Sequence, residues 1–241
     1  MVKNTMIPKR IHWCWLSGEE KPNLIKKCLE SWKVLGDDFE IMLWDADSID
    51  WTFAPKFVQQ ALEDQNWALV SDFVRAYALY RKGGWYLDSD VEIKKPIPEE
   101  YYHYDLCATK EPNADDNFCA KTGFKNTEGT PIFGNCINTA LMGARKGCPY
   151  LREVMDFYDT LDYNVNDYPN SMFGWYIAPQ VYSFVAEKYG YLYNKEPQLL
   201  SNNMLIAPET LCVNKPYTKN NDDPIAVHHC SFSWFNKIRN A

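Results

Sequence analysis

Ser71-Asp-Phe-Val-Arg-Ala-Tyr-Ala-Leu-Tyr-Arg-Lys-Gly-Gly-Trp-Tyr-Leu-Asp-Ser-Asp90 decides the fold. Its first half, Ser71 to Lys82, contains no Gly or Pro and spaces Phe73, Val74, Ala76, Tyr77 and Tyr80 along one helical face, which predicts a buried helix. Asp72 and Arg75 lie three apart on that helix, close enough to bond each other or to share a polar ligand. Gly83-Gly84 ends the helix, because glycine past the last turn accepts a positive φ. Trp85-Tyr86-Leu87 has the bulk of a buried strand and delivers Asp88-Ser89-Asp90 at its end. Residues two apart on an extended chain point the same way, so the two carboxylates are expected to converge. Paired carboxylates form a hard oxygen site suited to magnesium or manganese, especially when a diphosphate supplies further oxygens.

Working outward, Arg10 to Leu16 is dominated by strand-favouring residues, a helix begins at Pro22 and runs to about Leu35, and Glu40 to Trp44 is a second strand. This strand, helix, strand order opens a nucleotide-binding α/β unit. Further helices are expected from Pro55 to Asp64, from Pro149 to about Asp159 and from Ala178 to about Tyr189. Strands are expected within Tyr101 to Thr109, at Asn135 to Gly143 and at Ile225 to His229. The stretch from Pro112 to Pro131 is rich in Asn, Asp, Gly and Thr and reads as a long loop, with a short strand at Phe118 to Ala120. It and the aromatic, amide-rich run from Asp162 to Trp175 are expected to line an acceptor pocket.

Composition narrows the classes. The 241 residues are 46% hydrophobic and 24% charged, as in an ordinary folded protein, and the length suits one large core. A formal net charge of −7 argues against a nucleic-acid partner held by electrostatics. No apolar run approaches the roughly 20 residues needed to span a bilayer and the N-terminus lacks a signal-peptide core, so a cytoplasmic location is expected. The eight cysteines are scattered without a Cys-x-x-Cys pair and are expected to be reduced.

The segment from Ser71 to Asp90 resembles the sugar-binding region of the Asp-x-Asp glycosyltransferases of family 32. That family includes bacterial capsular and lipopolysaccharide transferases and yeast mannosyltransferases, with the catalytic domains of large clostridial glucosylating toxins as distant relatives. The likeness extends to the opening strand Ile7 to Trp15, to Asn138-Thr-Ala-Leu-Met-Gly-Ala and to the closing His228-His229-Cys-Ser-Phe-Ser-Trp234. It implies a single-domain GT-A type, Rossmann-like fold with a central, mostly parallel sheet flanked by helices. A nucleotide-binding part would span about 1–100 and an acceptor-side part about 101–241.

The resemblance also implies an activity: metal-dependent, retaining transfer of a hexose from a nucleotide sugar, with UDP as the expected nucleotide. The acceptor would be a hydroxyl of a glycan or lipid-linked glycan in surface polysaccharide synthesis, which leaves room for peripheral contact with the inner face of a membrane. Asp88, Asp90 and His229 would hold Mn2+ or Mg2+, with His228 as the alternative histidine. Trp15 would stack on the nucleotide base. Asp72 and Arg75 would grip the sugar, and Tyr86, Asn138 and Trp234 would complete the donor site. Two other classes compete on the residues alone. A nucleotidyl- or phosphotransferase should carry a Gly-rich phosphate loop, which is absent from the sequence. A non-catalytic carbohydrate-binding module would not need a metal pair beside Asp72 and Arg75.

Overall fold

The computed structural model describes residues 6–111, 125–130, 132, 134–163, 177–215 and 223–231. Ten strands are assigned among them. These are β1 Arg10–Cys14, β2 Glu40–Trp44, β3 Gly84–Leu87, β4 Val91–Ile93, β5 Leu106–Lys110, β6 Ile137–Ala144, β7 Gln198–Leu200, β8 Met204–Ala207, β9 Cys212–Asn214 and β10 Ala226–His228. The helices are α1 Asn23–Ser31, α2 Lys56–Glu63, α3 Trp67–Lys82, α4 Pro149–Tyr158 and α5 Ala178–Ala186.

Seven strands form one sheet in the order β2-β1-β3-β6-β5-β8-β7, and β4-β10-β9 form a second, smaller one. The α/β architecture is the one expected, but the large sheet divides its pairings evenly. β1 runs parallel to β2 and β3, and β5 to β8, while β6 is antiparallel to β3 and β5, and β7 to β8. β7, β8 and β9, each three or four residues long, are too short to show a strand pattern in the sequence.

Both faces of the large sheet are covered, which is why β3, β5 and β6 are buried at every position. On one face α2 to α5 pack with Tyr86, Leu106 and Met142. On the other, Trp13, Trp85, Leu87 and Leu141 meet Trp32, Leu35, Ile93 and Leu211. Helix α3 buries nine of its sixteen residues and packs on β1, β3 and β6. Gly83 ends it with φ +66, and its N–H returns to the Leu79 carbonyl at 2.8 Å. A Cβ at Gly83 would sit 2.6 Å from the Lys146 backbone nitrogen, so the close approach requires glycine as much as the dihedral does.

Helix α1 fixes the start of the small sheet. Ser31 Oγ accepts the Ile93 amide at 2.9 Å, and the Trp32 indole donates to the Val91 carbonyl at 2.9 Å. Strand β4 is thereby held just past the Asp-x-Asp triplet. Among the described residues, no helix is long and apolar enough to cross a membrane. The seven described cysteines are free thiols.

Candidate active site

The site forms where the C-terminal ends of β3, β5 and β10 meet the start of β6, the edge at which open α/β sheets bind ligands. Asp88 follows β3, its N–H bonded to the Ala140 carbonyl at 2.8 Å. The chain then turns, with the Val91 amide returning to the Asp88 carbonyl at 2.9 Å, and enters β4. Asp88 and Asp90 therefore converge through a tight turn between two sheets rather than by alternation along one extended strand. Antiparallel pairing of Val91 with His228 brings β10 alongside.

His228 is the histidine that reaches the carboxylates. Its Nε2 lies 3.3 Å from Asp90 Oδ1 and 4.0 Å from Asp88 Oδ2. The expectation for His229 is corrected: alternate residues of β10 and its extension face opposite ways, and His229 Nε2 turns to Glu92 Oε2 at 2.9 Å. Glu92 is also paired with Lys27 at 3.1 Å and Lys94 at 2.6 Å, a separate ionic knot.

Behind the turn, Arg75 is buried and committed to the protein. Its Nη2 lies 2.9 Å from Asp72 Oδ1 and 3.2 Å from Asp88 Oδ1, and its Nη1 donates to the Thr139 carbonyl at 2.6 Å and hydroxyl at 2.7 Å. The other oxygen of Asp72 accepts the Ala178 amide at 2.9 Å, at the first turn of α5. Asp72 and Arg75 thus form a buttress joining α3, α5, β6 and Asp88.

Burial lifts the Asp72 carboxyl to about 6, with Arg75 and the Ala178 amide pulling against it. Burial also raises Asp88, with Arg75 opposing. Asp90 differs, because hydrogen bonds from His228 and the Ser231 amide outweigh its burial and hold it below the usual carboxylate range. Burial alone would lower His228, yet its bond to Asp90 raises it well above the ordinary histidine value.

The donor chemistry fits a divalent ion. Asp88 Oδ2, Asp90 Oδ1 and His228 Nε2 face one another, while the second oxygen of each carboxylate is held by Arg75 or by the Ser231 amide at 2.7 Å. Two hard oxygens and one imidazole nitrogen suit Mn2+ or Mg2+ and exclude a thiolate-type site. Among the described residues no three His, Cys, Asp or Glu side chains are spaced to hold a metal ion as they stand.

The remaining expected residues separate. Trp15 stands just past the end of β1, on the site edge of the sheet, half-buried, its indole bonded to the Glu19 carbonyl at 2.8 Å and Lys21 over its ring. Tyr86 is corrected as a donor contact: it is 1% exposed, with Arg75 stacked 4.9 Å from its ring centroid. Side chains alternate across β3, and the even position faces the α3 layer. Asn138 is likewise buried, bonding Asn214 and the Ala140 amide rather than facing open space. Trp234 and most of the two segments expected to line the acceptor pocket, including 118–120, lie outside the described residues.

Two further residues that the sequence pattern does not single out stand at this edge. Glu111 follows β5, its carboxyl pushed by burial to about 7 and opposed by the charge of His228. Asn214 ends β9 beside His228. The only sequence signal for Glu111 was an acid just past a strand, and Asn214 lay on a strand too short to recognise.

Residues 2–198 match the capsular polysaccharide synthesis protein family. A 97-residue stretch is 32% identical to the uncharacterized glycosyltransferase L373 of Acanthamoeba polyphaga mimivirus, covering 38% of this chain and 39% of that protein. The match thus spans well under half the length of the curated relative. Among solved structures, the PaToxG glycosyltransferase superposes with a TM-score of 0.52 at 14% identity, over 76% of this chain and 69% of that one. A glycosyltransferase involved in glycosylation of the major capsid of PBCV-1 aligns over 96% of this chain and 97% of its own, with 13% identity and a TM-score of 0.48. The PaToxG likeness shows the GT-A glycosyltransferase fold, as expected from the sequence, and at that identity it bears on the fold alone.

Proposed function

The chain belongs to the capsular polysaccharide synthesis protein family and has a glycosyltransferase fold, and from that premise we propose that it transfers a hexose from a UDP-sugar to a hydroxyl of a glycan or lipid-linked glycan, with retention at the anomeric carbon. The observation that carries the proposal is the convergence of Asp88, Asp90 and His228 at the C-terminal edge of the sheet, backed by Arg75. In the reaction the acceptor oxygen bonds to the anomeric carbon, the bond from that carbon to the diphosphate breaks, and the proton of the acceptor hydroxyl passes to the departing diphosphate oxygen.

The difficulty is the charge left on the diphosphate. Mn2+ or Mg2+ held by Asp88, Asp90 and His228 would act as a Lewis acid toward that charge. Arg75 keeps Asp88 aimed by occupying its inner oxygen, and the Ser231 amide does the same for Asp90. Such fixed donors cost no reorganisation when the charge develops. Asp72 serves by orienting Arg75 and by tying α5 to the site floor. Trp15, at the same sheet edge, is the candidate platform for the uracil.

The full-length chain incubated with UDP-hexoses should release UDP only with Mn2+ or Mg2+, and chelation should stop it reversibly. Asp90→Asn keeps the shape of the side chain and should lower turnover by about 100-fold or more. Turnover indifferent to chelation would remove the metal from the proposal. Absence of both turnover and binding with every UDP-sugar would remove the donor class.

A further inference from the structure

We propose that Asn214 is a positioning residue for His228, its carboxamide oxygen holding the imidazole so that Nε2, and not Nδ1, faces Asp88 and Asp90. The inference rests on the reading of Asp88, Asp90 and His228 as holders of a divalent ion, but its geometric half concerns only hydrogen bonds within the chain.

The argument starts from a group with no ambiguity, the Ala140 backbone N–H, which can only donate. It meets a terminal atom of Asn138 at 2.9 Å, so that atom is the oxygen and the other terminal atom is the NH2 nitrogen. This nitrogen lies 3.0 Å from Asn214 and donates to it, so the Asn214 atom it meets is Oδ1. His228 Nδ1 lies 3.1 Å from that same oxygen. An oxygen that accepts there requires a proton on Nδ1, whether the ring is neutral or cationic. Only Nε2 is then left to offer a lone pair, and it is the nitrogen beside the carboxylates.

The relay is built into the fold. Parallel pairing sets His228 directly opposite Asn214 across β10 and β9, and Asn138 and Asn214 are 1% and 4% exposed. Both amides therefore need partners inside the protein, and the Asn138 NH2 and the Asn214 oxygen satisfy one another. The Asn214 nitrogen points to Glu111 Oε1 at 3.5 Å, extending the relay to the end of β5. Cys230 Sγ, 3.5 Å from His228 Nδ1, is a weaker second acceptor for the same proton. A histidine ligand whose far nitrogen is fixed in this way keeps its ring aimed, and loss of the partner costs about 10–100-fold in metal affinity.

The test uses wild type, Asn214→Leu and Asn214→Asp, full chain, labelled with 15N-histidine. With four histidines in the chain, His228 is assignable by its absence in His228→Gln. Without added metal, wild type and Asn214→Asp should show an exchange-protected His228 Nδ1–H resonance, and Asn214→Leu should lose it. With UDP, Mn2+ binding followed by electron paramagnetic resonance should weaken about 10–100-fold in Asn214→Leu and recover in Asn214→Asp, which keeps the acceptor oxygen. No protected Nδ1–H in wild type, or one that survives in Asn214→Leu, overturns the positioning role, as does unaltered Mn2+ affinity in that variant. A wild type that shows the Asn214-dependent resonance yet binds no Mn2+ supports the orientation and overturns the cation reading instead.

Discussion

Arg75 is the residue on which the site's arrangement turns. One guanidinium meets Asp72, Asp88 and two oxygens of Thr139, a set of directions that a single ammonium cannot cover. Arg75→Lys keeps the charge and loses the fork. We expect it to cost about 2–4 kcal/mol of stability, from two or more charge-assisted bonds, measured by urea titration. Mn2+ affinity should fall as well, because Asp88 loses the group that holds its inner oxygen. Unchanged stability and affinity would show that Asp88 needs no such support.

Between elements, two contacts set how α3 and β3 meet the rest of the sheet. His12 on β1 accepts the Trp44 indole N–H at Nδ1, 3.0 Å, and so carries its own proton on Nε2, 2.9 Å from the Gly83 carbonyl at the end of α3. Burial lowers its pKa from 6.5 to about 4. A depressed folded-state value means that the neutral ring's stability is present above pH 6.5 and is lost as pH falls toward 4, by roughly 3 kcal/mol at full extent. Asp72 and Glu111, raised to about 6 and about 7, act in the opposite sense over part of that range. The quantity to measure is therefore the difference between wild type and His12→Gln in urea midpoint from pH 7 to pH 5. Wild type should lose more, and equal slopes would exclude a neutral buried His12. The second contact is Gly143 on β6, where a Cβ would lie 2.7 Å from Trp85 Cε3, a ring with no exposure. Gly143→Ala should destabilise by about 1–3 kcal/mol through overpacking. That corresponds to a melting temperature lower by several degrees, and an unaltered melt would show that Trp85 can move aside.

For the whole molecule, ligand binding to the native state alone adds to its stability. UDP with Mn2+ at about 100 times the dissociation constant should add ~2.7 kcal/mol, which for a chain of this size raises the melting temperature by about 5–10 °C. UDP with chelator should give less, and GDP with Mn2+ should separate the nucleotide preference. Equal shifts with and without metal would show that UDP is held without help from the carboxylates.

Periodicity and punctuation in the sequence determined α3 from Ser71 onward, though not its first turn from Trp67, along with its glycine stop, β3 and the Asp-x-Asp triplet, because those features depend on residues near one another in the chain. Recognition of the family followed from motifs in order, and the α/β architecture with it. Tertiary structure decided the rest. Asp88 and Asp90 converge through a turn between two sheets, which a strand-alternation argument does not contain. That His228 rather than His229 reaches the two carboxylates depends on the pairing of β10 with β4 and β9, since one step along a strand reverses the side chain. Asn138, Asn214 and Glu111 meet only when β6, β9 and β5 are brought to one edge, across 76 and 103 residues of separation. Local pattern carries no record of contacts at that range, because the free energy that forms them comes from packing two layers onto one sheet.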